Sequence, residues 1–142
     1  DMAKVQDRIR DLNLMPLEGE GGFFRFLHLF GNEAGCIYYL ITSDEFSSLH
    51  MLDGDEAWFF LEGGKAEQIT YAEGGAIKRE ILDENNRNTL VKKGEWQSTK
   101  LIEGEYALFS TVMSPHYEQS MYHSPTKELL EKCPELADYT KL

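Results

Sequence analysis

Cysteine is scarce in this chain, with only Cys36 and Cys133 among 142 residues. They lie far apart and belong to no CxxC or Cys/His spacing, which argues against a zinc knuckle, a redox motif or a disulfide framework. A reducing, cytoplasmic compartment is the expectation. Basic clusters are missing as well. There are 14 Lys and Arg against 25 Asp and Glu, for a formal net charge of −11. No window gathers the cations that neutralising a phosphate backbone requires, so neither nucleic acid nor an anionic membrane is expected as a partner. Long apolar runs are also absent. "CIYYLI", Cys36 to Ile41, falls far short of the about 20 residues that span a bilayer, and the charged N-terminal stretch has no signal-peptide core. Asp1 ahead of Met2 reads as an expression remnant. Repeats, linkers and low-complexity segments are lacking, and the length suits one domain over 1–142 with a core over about 20–115.

What is present has two periods. Val5, Ile9 and Leu12 recur at helical spacing, so a short amphipathic helix is expected over Ala3 to Leu12, ended by the Pro and Gly of "NLMPLEGEGG". Beyond it the period is two. "FFRFLHLF", "CIYYLIT", "AWFFLE", "AEQITYA", "IKREIL", "NTLVKK", "WQSTKLI" and "YALFSTVM" read as short strands, separated by turn segments such as "LDGD", "EGGK", "DENNR" and "EGE". Many short strands with no helix among them predict a mostly β sandwich or barrel. At the far end Ser124 and Pro125 read as the N-cap and first turn of a helix with Leu129 and Leu130 on its apolar face.

One stretch gathers chemistry: "SSLHMLDGDEAWFFLEGG", Ser47 to Gly64. If Phe46, Ser48 and His50 alternate toward one face, and Glu56, Trp58 and Phe60 do so on the returning strand, His50 and Glu56 meet near the turn. An imidazole and a carboxylate so placed form either an acid–base pair, a chelating pair or simply a hydrogen-bonded polar couple. Tyr39, Trp58, Phe60, Trp96 and Tyr106 would line a pocket beside them, although a small barrel also needs large rings merely to fill it. Arg25, on a strand of apolar residues, should pair with a carboxylate such as Glu20 or Glu56, or meet an anionic ligand group. His28 reads as packed or at an aromatic interface. His116 and His123 are either surface residues or groups that close over a ligand.

These residues resemble the cupin barrels. The first cupin motif has two histidines one residue apart, then a glutamate and a glycine. Here His50, Glu56 and Gly63 fit its spacing, with Leu52 in place of the second histidine. The second motif falls on Lys92, Gly94 and Gln97, so Gln97 replaces its histidine and Lys92 its proline. The chain is closer still to a small branch of single-domain cupins. The likeness rests on Glu20-Gly21-Gly22-Phe23, Ile37 to Leu40, Ser47 with His50, Asp55-Glu56 with Trp58, Gly94 with Trp96-Gln97, and Pro115 with Tyr117. Members of that branch usually have His-Pro before the Glu-Gly-Gly segment and an Arg after the motif histidine; here Pro16-Leu17 and Met51 stand there. If that Arg grips an anionic or carbonyl group in relatives, this chain lacks the grip.

The resemblance implies a cupin-type double-stranded β-helix, or jelly-roll barrel, with short N- and C-terminal helices. It also implies a small polar ligand in the barrel, sugar-like by analogy with sugar-modifying cupins, and an isologous homodimer. His50, Glu56 and Gln97 offer one strong nitrogen donor where the family has three, so any divalent metal they held would be held weakly. Two readings stay open. In one the protein is an isomerase, epimerase or lyase, with His50 as acid or base, Glu56 setting its tautomer, and Tyr39 or Tyr106 as partner proton donor. In the other it binds a metabolite without turnover. Ligand contacts are expected from Glu20, Arg25, Ser48, Trp58, Phe60, Trp96, Gln97 and His116. A redox dioxygenase fits less well, because its iron chemistry leans on the replaced histidines.

Overall fold

The N-terminal period of apolar residues produces α1 (Met2–Asp11) in a computed structural model that describes residues 2–141. Val5 is buried and Ile9 and Leu12 pack beside it against Leu40, Tyr106 and Leu108. Asn13 adopts a left-handed φ of 55° and ends the helix, a conformation Asn tolerates better than most residues.

The strands follow as β1 (Met15–Pro16), β2 (Phe23–Phe30), β3 (Ala34–Ile41), β4 (Ser47–Leu52) and β5 (Asp55–Tyr71). After them come β6 (Lys78–Leu82), β7 (Asn88–Val91), β8 (Trp96–Ser114) and β9 (Tyr122–His123). All ladders are antiparallel. The sheet order is β1-β2-β3-β8-β4-β9, and β5 pairs with β6, β7 and β8. The curled sheet is a mostly β jelly-roll barrel with short helices at its two ends.

The sequence splits β5 and β8 into two strands each, at "EGGK" and "EGE". In the structure both run through. Register shifts between Phe60 and Glu62 and from Gly63 to Ala66 absorb the glycines as bulges, which bend the pair without ending it. The C-terminal cap also differs. Helix α2 (Lys127–Lys132) is capped by Thr126, whose Oγ1 accepts from the Leu129 N–H at 3.1 Å, because Thr126 and not Ser124 has the extended backbone next to the first turn. Its Leu129 is buried with Leu49, Ile69, Trp96 and Leu136. The central cluster places Tyr39, Trp58, Phe60 and Phe109 together, each such ring or aliphatic chain contributing about 1.5–3 kcal/mol by its burial. Among the described residues no helix is long and apolar enough to cross a membrane.

Candidate functional site

One end of the barrel holds a cavity of about 540 Å³. Strands β2, β3, β4, β5 and β8 supply its walls, together with residues of the segment from His116 to Ser124. Glu20, His50 and Glu56 bring titratable groups to the wall, and Tyr39, Trp58 and Tyr122 bring rings.

Glu20 is aimed by the two glycines that follow it. Gly21 and Gly22 have φ of 104° and 79°, which residues with a Cβ rarely adopt. A Cβ on Gly22 would lie 2.5 Å from the Tyr39 hydroxyl, and one on Gly21 would lie 2.3 Å from the Phe46 carbonyl. Tyr39 donates its hydroxyl to the Gly21 carbonyl at 2.6 Å and so pins this turn. The Ser47 hydroxyl donates to Glu20 Oε2 at 2.8 Å, and the Ser48 N–H donates to the Glu20 carbonyl at 3.0 Å.

His50 is 1% exposed, and its ring orientation follows from its neighbours. Nδ1 lies 2.7 Å from the Ser48 carbonyl. A carbonyl only accepts, so Nδ1 carries the proton and Nε2 is left for chemistry. Nε2 faces Glu20 Oε1 at 3.6 Å. Tyr122 stacks on the imidazole with centroids 5.0 Å apart and planes within 10°. The carboxylate beside His50 Nε2 is thus Glu20, and the group that sets the tautomer is the Ser48 carbonyl; the sequence reading gives both places to Glu56.

Glu56 sits deeper. Gln97 donates from Nε2 to Glu56 Oε1 at 3.2 Å. Burial first, then the Glu20 carboxylate, push the Glu56 carboxyl above its ordinary value, while His50 and hydrogen bonds from Thr111 and Gln97 pull the other way. Burial and Glu20 likewise hold the hydroxyls of Tyr39 and Tyr122 above the usual phenol range. The Glu56 shift has a sign that can be measured. The folded protein keeps this proton more tightly than the unfolded chain, so stability falls as pH rises from about 4.5 through the raised folded value. Glu56→Gln keeps the volume and an acceptor for Gln97. It is expected to raise the urea midpoint at pH values above that window and to match wild type below it; a midpoint difference that does not vary with pH would show that Glu56 is not held protonated.

Other residues named from sequence lie elsewhere. Arg25 is exposed and donates to the Leu12 carbonyl at 3.4 Å, because Phe24 and Phe26 take the inward positions of β2 and alternation sends Arg25 outward. Tyr106 packs beneath α1 and donates to Glu62, with its hydroxyl raised to about 12 by burial and that carboxylate. Trp96 lies under α2. Phe60 is in the core below Trp58 and not on the wall. The Ser48 side chain accepts from the Lys141 N–H at 3.1 Å; a bulge between Ser47 and His50 shifts the alternation, so Ser47 faces Glu20 instead. Gln97 backs Glu56 without lining the cavity. His116 does line it, whereas His123 pairs with Asp53 at 2.9 Å and His28 is exposed beside Phe30. Met51 packs among the residues under α2, so an Arg at this position would not face the cavity.

Thr111 and Tyr122 are on the wall although nothing in the sequence marks them, and Tyr117, which the sequence offers only as part of the cupin likeness, is there too. For Tyr122 there was little to read, since β9 has two residues and no period. The donor set also tests the divalent metal that a cupin barrel implies. Leu52 lines the cavity in place of the second motif histidine, and Gln97 turns its amide nitrogen toward Glu56 while its Oε1, buried and off the wall, has no partner among the described residues. The wall has His50 and His116 with Glu18, Glu20 and Glu56, which falls short of the three-nitrogen set, and among the described residues no three His, Cys, Asp or Glu side chains gather to hold an ion.

Comparison with known structures places the architecture. A hypothetical protein from Leishmania major is similar at 18% identity, with 95% of this chain and 97% of that one covered and a TM-score of 0.87. A Shewanella oneidensis protein is similar at 23% identity over 96% of both chains, with a TM-score of 0.83. A cupin 2 conserved barrel domain protein from Rhodopseudomonas palustris is similar at 15% identity, covering 89% and 88%, with a TM-score of 0.68. No match is found among curated proteins. The model of the Cupin superfamily (DUF985) matches residues 6–124, most of the chain, and the protein therefore belongs to that family.

Proposed function

We propose that the cavity binds a small polar, sugar-like metabolite and moves a proton on it, as an isomerase, epimerase or lyase does. The observation that carries this is the division of labour between two buried groups on one wall. His50 has its Nδ1 proton committed to Ser48, which leaves the Nε2 lone pair as proton acceptor. Glu56, buried on the same wall with its carboxyl pushed above its ordinary value by burial and by Glu20, is the group assigned as proton donor. Glu20, close to Nε2, stabilises the imidazolium that forms when His50 takes a proton. Tyr39 has its hydroxyl proton engaged by Gly21 and acts here by holding Glu20 in place.

Binding without turnover is the second reading, favoured by Leu52 on the wall where the family motif has a histidine. Proton exchange separates the two. The protein is incubated in deuterated water with a panel of aldoses and ketoses, and the C–H next to each carbonyl is followed by NMR. Catalysis is expected as deuterium uptake that falls by about 10²–10⁴-fold in His50→Gln. Saturable binding with no uptake would establish the second reading, and neither binding nor uptake across the panel would overturn both.

A further inference from the structure

We infer that the cavity selects a ligand bearing a positively charged nitrogen together with hydroxyl groups, of the amino-sugar or amino-alcohol class, over neutral or anionic counterparts. The inference rests on the reading of this cavity as a small-molecule site and adds to it the charge of the molecule.

The wall is one-sided in charge. Glu18, Glu20 and Glu56 line it and no Lys or Arg does. The nearby basic residues are spent elsewhere: Arg25 on the Leu12 carbonyl, Lys141 on Glu45 at 3.3 Å, and Arg8 on Asp11 and Glu62. Largely buried carboxylates ordinarily acquire a cationic partner. Glu20 has the neutral Ser47 hydroxyl and, at 3.6 Å, His50 Nε2. Glu18, Glu20 and Glu56 face the cavity with no Lys or Arg against them, and the imidazoles of His50 and His116 are the basic groups on the wall. A ligand carboxylate or phosphate would enter against like charge with no donor fork to receive it, whereas an ammonium group gives Glu20 a cationic partner while His50 is neutral.

The rings point the same way. Phe24, Phe26, Tyr117 and Tyr122 border the space, and aromatic faces attract a desolvated ammonium. Trp58 supplies the second half of the specification. It is on the wall and 1% exposed, and its indole N–H has no partner among the described residues. An indole N–H only donates, so it suits a ligand oxygen and not the ammonium. One carboxylate-lined pole and one unused donor fit a molecule with both an amine and hydroxyls.

The test is calorimetric titration of the full chain with three probes of matched ring and differing charge: glucosamine, glucose and glucuronate, at mildly acidic pH where the amine is protonated. Glucosamine is expected to bind at least about tenfold more tightly than glucose, with glucuronate weakest, and the spread should narrow in high salt. Glu20→Gln should reduce the preference for glucosamine. Exposed Glu18→Gln, which leaves the buried network intact, should reduce it less. Glucuronate binding as tightly as glucosamine would overturn the charge selection while leaving the small-molecule site standing. Binding by none of the three would overturn both.

Discussion

Gly64→Ala is expected to remove most of the folded protein. A Cβ on Gly64 would lie 1.8 Å from the Glu103 carbonyl oxygen, 2.7 Å from its carbon and 3.0 Å from the Gly104 Cα. All three are backbone atoms, so no rotamer change relieves the overlap. The site is the bulge where β5 and β8 bend together, and separating them there disturbs the longest ladder in the molecule. Ordinary overpacking costs about 1–3 kcal/mol, and a clash against backbone on a paired strand exceeds that range. Set against a typical total stability of about 5–15 kcal/mol, this brings the chain near its unfolding threshold. Urea denaturation followed by circular dichroism measures it. A midpoint equal to wild type would show that the two strands part at this point without loss.

Trp58→Ala should cost about 3–5 kcal/mol, the range for deleting a large buried ring. Trp58 packs edge-on against Tyr39 at 5.6 Å and Phe109 at 5.2 Å. Trp58→Phe should cost much less. It keeps most of the apolar volume, and the N–H it removes has no partner among the described residues, so no hydrogen bond within the protein is lost. Chemical denaturation of the two variants beside wild type gives the comparison. A Phe variant as unstable as the Ala variant would mean that the indole N–H is satisfied in solution, and that Trp58 owes its place to that bond more than to packing.

The barrel was legible in the sequence because alternation and turn residues recur along most of the chain, and because the Glu-Gly-Gly, His-to-Glu and Gly-x-Trp-Gln segments resemble cupin motifs. Two strand boundaries were not legible. "EGGK" and "EGE" have the composition of turns, and only the neighbouring strand shows that their glycines serve close backbone approach. In the site, the period of two brought His50, Glu56 and Trp58 to one wall. It failed at Ser47 and Ser48, where a bulge exchanges the inward side chain, a shift that leaves no trace in residue type. Tyr106 and Trp96 share the strand β8 with Thr111 but pack under α1 and α2, because a strand this long passes several environments. The sequence reading puts Arg25 at the ligand, and the structure corrects it: with Phe24 and Phe26 on the cavity side, alternation turns Arg25 outward to the Leu12 carbonyl.

The β5–β8 ribbon has a kinetic side. Tyr71 pairs with Trp96 at one end and Asp55 with Ser114 at the other, so the stretch of chain enclosed by each successive rung grows steadily toward the cavity. Closing a larger loop costs more entropy before any contact rewards it, and topologies dominated by such distant pairings fold slowly. Glu56 and Thr111 meet at the end where the enclosed loop is largest, so the geometry of the wall depends on the most expensive rungs of the ladder.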